Sequence, residues 1–157
     1  MYTRLYDKDR ADSKFKMHVD YLILADSVAV AEGKHYIHGG GWDTLFAASF
    51  PAIHPILGVA ARLSVPLEET GQQLAVEVDV QGGEEGRSLL PEPLRGIVNA
   101  ERPPHVSPDS DLLLHLALSF TNLQFESPGS YNIVLRIDGQ PLAESRFNVL
   151  SPPRLPE

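Results

Sequence analysis

Six histidines and a single tryptophan are the side chains best equipped for chemistry in this 157-residue chain, which contains no cysteine. His18, His35, His38 and His54 lie in the N-terminal third, so folding could in principle gather them around a metal ion. Their spacing argues against it. An offset of three sends His35 and His38 to opposite faces of a strand, and no helical zincin-type motif is present. Ordinary turn and surface positions account for these histidines, so neither a metal nor any other cofactor is expected. Nucleophilic catalysis fares no better, with cysteine absent and no G-x-S-x-G elbow. The carboxylate pairs Glu68-Glu69 and Glu84-Glu85 fall in turn-like stretches where water solvates them. Gly39-Gly40-Gly41 lacks the Lys-Ser/Thr and helix that would make it a phosphate cradle. No catalytic residue is assigned. Were the chain an enzyme, His38, Asp43 and His54 would be the first residues to substitute.

Trp42 follows the three glycines and permits two readings. As a core residue it buries a large area and its indole N–H seeks a carbonyl or a carboxylate such as Asp43. As a platform it stacks on a sugar or a partner side chain, with the glycines allowing close backbone approach. The second reading defines a candidate site for a small, carbohydrate-like ligand: Tyr36, His38, Gly40, Trp42 and Asp43.

The elements that position these residues are strands. Tyr131, Ile133, Leu135 and Ile137 alternate with polar neighbours, as do Ala143, Phe147 and Val149, on either side of an Asp138-Gly139 turn. That is the strongest short-range sign of a β-hairpin. Leu57 to Val65 and Leu74 to Val80 repeat the period of two. So do Leu112, Leu114, Leu116, Leu118 and Phe120, which a helix would scatter around its circumference. Burying those five side chains contributes about 7–15 kcal/mol before chain entropy is subtracted. Leu123 and Phe125 read as a connection, and Ile97–Glu101 as a weaker edge strand. Gly129-Ser130-Tyr131 after an apolar connection resembles the tyrosine corner of immunoglobulin-like sandwiches, where the hydroxyl bonds back to the preceding turn.

The first strand is different. Val19–Asp26 is apolar on both faces in its middle, so the N-terminal arm, a neighbouring loop or another subunit must cover its second face. Tyr21, Leu22 and Leu24 are therefore candidate interface residues, and self-association as a homodimer is a possible outcome. Val28–Val30 and His35–His38 flank Glu32-Gly33-Lys34 and read as a hairpin rather than a short helix capped by Asp26.

Thirteen prolines and twelve glycines are spread along the chain, as suits an all-β domain with many turns. The net charge is −8 although residues 1–16 carry more Lys and Arg than Asp and Glu. Such an acidic body repels phosphate backbones, so nucleic acid is not an expected partner. The Tyr21–Ala31 run is too short to span a bilayer and the N-terminus is charged, so no membrane association and a cytoplasmic location are expected.

VDYLILADSVAVAEGKHYIHGGGWD, with Leu89-Leu90-Pro91-Glu92-Pro93 later, resembles a family of small uncharacterised bacterial proteins that share a VDYxLLAD…GKxYIxGGGWD opening. The likeness runs from about Val19 to Val149. It implies a fold and no catalytic residues. The expectation is thus an immunoglobulin-like, two-sheet antiparallel sandwich of about seven to nine strands, Greek-key-like, with an N-terminal extra strand or hairpin. Residues 1–16 form a flexible arm, 17–150 the domain and 151–157 a proline-rich tail. Its expected role is non-enzymatic: a module that binds another protein or itself.

Overall fold

The computed structural model describes residues 2–5 and 16–154. In chain order the strands are β1 (Tyr2–Leu5), β2 (His18–Ala31), β3 (Lys34–Gly40), β4 (Thr44–Phe46), β5 (Ala52–Val65), β6 (Gln73–Gly82), β7 (Arg87–Ser88), β8 (Leu94–Asn99), β9 (Leu112–Phe125), β10 (Gly129–Ile137) and β11 (Gln140–Leu150). One short 3₁₀ turn, Leu67–Glu69, joins β5 to β6. No helix among the described residues is long and apolar enough to cross a membrane.

The strands form two sheets. One runs β1-β11-β10-β6, with β7 and β8 both on β6 and β4 parallel to β11; the other runs β3-β2-β5-β9. The chain crosses between sheets from β5 to β6, returns from β8 to β9 and crosses again to β10. That is the Greek-key path of an immunoglobulin-like sandwich. Strands beyond the expected seven to nine are the short β1, β4 and β7.

Alternation decides the core. Leu57, Val59, Leu63 and Val65 on β5 meet Leu74, Val78 and Val80 on β6 and Ile133, Leu135 and Ile137 on β10, all essentially without exposure. On β9, Leu112, Leu116 and Phe120 are buried, and Leu114 and Leu118 pack partly buried against the same core. Both sequence-marked hairpins form on two-residue turns with positive φ at each central position, Glu32-Gly33 and Asp138-Gly139.

Tyr131 forms the corner. Its hydroxyl donates to the Ser127 carbonyl at 2.6 Å. Its ring sits among Phe125 and Phe147 at centroid distances of 4.8 and 5.8 Å, and Trp42 meets Phe147 edge-on at 6.2 Å. Four aromatic rings thus close this end of the sandwich.

Three sequence expectations need correction. Tyr2–Leu5, assigned to a flexible arm over 1–16, is a strand whose backbone pairs with Ala143–Arg146 of β11, because that strand's outer edge is open to it; residues 6–15 lie outside the described residues. Leu123 and Phe125 belong to β9, where they stay paired with His54 and Ala52. The edge strand read at Ile97–Glu101 begins at Leu94 and ends at Asn99. Ser151–Arg154 has no regular structure, as proline's missing N–H dictates.

Candidate functional site

The unusual part of this sandwich is what its N-terminal hairpin does. β2 pairs with β5 only through Ala25; beyond it, Ala25–Ala31 pairs with Lys34–Gly40 of β3. The hairpin bends there and lies across the outer face of its own sheet. Three contacts establish this. Val28 stands over Gly58 of β5, where an added β-carbon would sit 3.1 Å from a Val28 methyl. The Tyr21 hydroxyl and His35 Nδ1 are 2.7 Å apart, and His35 Nε2 is 2.9 Å from the Leu116 carbonyl of β9.

Small residues make the close approach possible. Ala25, Gly58 and Ala60 point outward from this sheet and all three are buried. The glycine run supplies the bend. Gly39 has a φ of +59° and its missing β-carbon would fall 2.2 Å from the Asp26 carboxylate, while Gly41 has a φ of +85° and its N–H donates to the Leu24 carbonyl.

Under the hairpin lies a polar row. Tyr21, Arg62 and His115 are cross-strand neighbours on β2, β5 and β9. Arg62 sits over the Tyr21 ring at 5.2 Å and donates from Nε to Asp20 at 2.8 Å. Asp20 also accepts from Ser64 and meets His18 at 3.2 Å. The His35 and His115 rings meet edge-on at 4.9 Å. A carbonyl can only accept, so Nε2 of His35 carries a proton, and in the neutral ring Nδ1 is then the acceptor for the tyrosine hydroxyl. Burial, then the neighbouring His35 and Arg62, hold the His115 imidazole below its ordinary titration range.

The hairpin tip reaches a groove. β8 pairs only with β6 and β9 only with β5 among the described residues, so each leaves a strand edge without a neighbour. Between these edges lie two adjoining depressions that share Leu94 and Arg95. One part, about 530 Å³, is lined by Val28, Val30, Leu94, Val98, His115 and Leu118 among others. The next, about 460 Å³, continues past the shared Leu94 and Arg95 to Pro91, Phe120 and Thr121. In a fuller sandwich a further strand fills such a seam. Here the chain between β8 and β9 contains Pro103, Pro104 and Pro108 and forms turns, held by Arg102 Nη1 donating to the Ser107 and Ser110 carbonyls.

The residues expected to form sites are distributed differently. Leu22 and Leu24 are 1% and 0% exposed inside the core, and Tyr21 is half-buried beneath the hairpin. They are not a free interface, because the cover for the first strand comes from the same chain. Tyr36, 47% exposed, and His38 look outward from β3, whereas Trp42 turns inward onto Phe147 and His54. Gly40 lies in the bend against Ile37 and Ile23, and Asp43 is exposed, its carboxyl held below the usual range by the Thr44 hydroxyl. These five residues do not share one face.

His18, His35 and His54 take separate partners (Asp20, Tyr21 and Trp42), and no group of three or more His, Cys, Asp or Glu able to hold a metal is found among the described residues. The seam was missed by sequence reasoning. Its signal was the proline-punctuated stretch before Leu112, which leaves no strand to separate two edges.

Fold and site together define an immunoglobulin-like sandwich with a self-covering N-terminal hairpin. Residues 20–150 match the family of unknown function DUF6941, and the chain belongs to it. No curated protein sequence matches. Among solved structures the chain is similar to the alkylpurine DNA glycosylase AlkC of Pseudomonas fluorescens bound to DNA containing an abasic site analog, with 8% identity, a TM-score of 0.47, and coverage of 87% of this chain and 31% of that one. It is similar to a β-glucosidase of Listeria innocua at 11% identity and a TM-score of 0.46, covering 89% of this chain and 16% of that one. An immunoglobulin-like protein of Pseudomonas aeruginosa gives 12% identity and a TM-score of 0.38, covering 85% and 95%. The chain therefore spans less than a third of the first two proteins' length.

Proposed function

We propose that this protein is a non-enzymatic interaction module that receives an extended segment of another protein in the seam between β8 and β9. The observation that carries the proposal is the pair of strand edges facing one groove. An edge strand offers unpaired N–H and C=O groups at strand spacing, chemistry that an extended polypeptide complements better than any small molecule does. Apolar side chains along the groove, Val30, Leu94 and Leu118 among them, provide pockets for alternate residues of the incoming strand. Arg95 at the midpoint, ion-paired with Glu77 at 3.0 Å, provides polarity at the rim.

Panning a displayed library of random peptides against the whole protein tests this reading. Selected peptides should shift the backbone amide signals of Leu94–Asn99 and of residues 114–121. Leu94→Lys, at a position 38% exposed, should abolish their binding with little loss of stability. Peptides that map to other strands, a library that yields none, or pairing of the seam with a second copy of this chain would each overturn it.

A further inference from the structure

We infer that the β2–β3 hairpin is a pH-sensitive strap, docked on its sheet while His35 and His115 are neutral and released when they gain protons. As a regulator of partner access it rests on the seam reading, since Val28, Ala29 and Val30 form one wall of that groove; as a conformational change it stands without it.

The polar contacts that fasten the hairpin run through one imidazole. His35 uses both ring nitrogens, Nε2 toward the Leu116 carbonyl and Nδ1 toward the Tyr21 hydroxyl. A second proton placed on Nδ1 turns that nitrogen from acceptor to donor, so the Tyr21 hydroxyl must reverse, and the new charge sits half-buried beside Arg62 and His115.

The groups around it are the Tyr21 hydroxyl on β2, Arg62 on β5, His115 on β9, the adjacent Lys34 on β3, and Arg95 on β8, which lines the same groove as His115. The nearest carboxylate of the row, Asp20, is taken up by Arg62, Ser64 and His18. No carboxylate among the described residues bonds either imidazole of the pair, so protonation meets Arg62 with no balancing anion. The lowered titration range of His115 has the same sign.

Beneath the strap lies an apolar floor of small residues, Ala25, Gly58 and Ala60, with Ile23 beside them. Release exposes that floor and widens the seam at its Val28–Val30 wall. The sandwich itself stays closed, because its core lies on the other face of the sheet.

Hydrogen exchange on the full chain, with rates normalised for the intrinsic effect of pH, tests the strap. Amides of residues 28–37 should lose protection about tenfold or more between about pH 7.5 and about pH 5.5, as like charges held at ring contact with no anion between them drive the hairpin off, and should lose more than the amides of β10 and β11. In the variant His35→Gln/His115→Gln the amides at 28–37 should hold constant protection, since glutamine at 35 still offers a donor and an acceptor but takes no proton. Equal protection of the wild-type hairpin at both pH values, or the same loss in the double variant, would overturn the inference.

Should the double variant not fold, imidazole and amide signals of the wild type can be followed together by NMR. Hairpin amides that move at a pH where neither ring titrates would also overturn it. No partner is needed for these readouts, so a seam that binds no peptide leaves the strap standing, and a pH-indifferent hairpin leaves the seam standing.

Discussion

The ring of Tyr131 occupies the space above Gly82, so that a β-carbon at position 82 would stand 2.4 Å from two of its ring atoms. The two residues are direct cross-strand partners on β10 and β6. The same tyrosine bonds through its hydroxyl to the Ser127 carbonyl, so one side chain fastens the corner and shields a glycine in a neighbouring strand. Gly82→Ala should destabilise the protein by about 1–3 kcal/mol through overpacking. Tyr131→Phe keeps the ring and should cost only about 1 kcal/mol for the lost hydrogen bond. Urea unfolding with unchanged slope checks both, and a larger effect for Tyr131→Phe than for Gly82→Ala would contradict the geometry.

The bend of the N-terminal hairpin separates two glycines that look equivalent in sequence. Both Gly39 and Gly41 have left-handed φ, but only Gly39 has a neighbour, the Asp26 side chain, where a β-carbon would go. Gly41→Ala should therefore cost about 1 kcal/mol for conformation alone, and Gly39→Ala more. Part of the Gly39→Ala loss should be recovered when Asp26→Ala is added, a coupling readable from a double-mutant cycle.

Trp42 packs edge-on against Phe147 and His54, and its Nε1, like Nε2 of His54, is buried without a hydrogen-bond partner. Trp42→Phe removes an unsatisfied donor along with part of the ring, so the two effects oppose and the net cost should stay below about 1.5 kcal/mol. Trp42→Ala leaves a void beside Phe147 and should cost about 3 kcal/mol. Because the chain has one tryptophan, its emission should be blue-shifted when folded and move to the red on unfolding. A solvent-like emission from the native protein would place the ring outside the core.

His115 gives the fold a pH dependence of defined sign. Burial first, then His35 and Arg62, hold its imidazole below the ordinary value near 6.5. The unfolded chain therefore takes up this proton at a higher pH than the folded one does. Stability from this source is complete above the unfolded value and is lost as the pH falls below it. In thermal unfolding, His115→Gln should flatten the profile between about pH 7 and about pH 5.

Much of this was legible in the order of residues. Alternation at Leu57–Val65, Leu112–Phe120 and Tyr131–Val149 fixed strands and inward faces, since a period of two has no other way to bury one side. Glu32-Gly33 and Asp138-Gly139 announced their turns, because few residues tolerate positive φ. Even the need to cover Tyr21–Ala25 on both faces was visible. What covers it was not, because Val28 over Gly58 and His35 on Leu116 join positions that are far apart along the chain and share no local signal.

The same limit applies to the sites. Tyr36, His38 and Trp42 are near one another in sequence, yet backbone rotation through three glycines sends the first two to solvent and the third into the aromatic end of the sandwich. The seam exists only once β8 and β9 are assigned to different sheets whose edges face each other. Sequence determined the main strands of the core and which of their faces are apolar, for those follow from local backbone geometry and the periodic exclusion of water. Tertiary structure alone decided which faces meet, because contacts between distant segments depend on how the whole chain closes around its core.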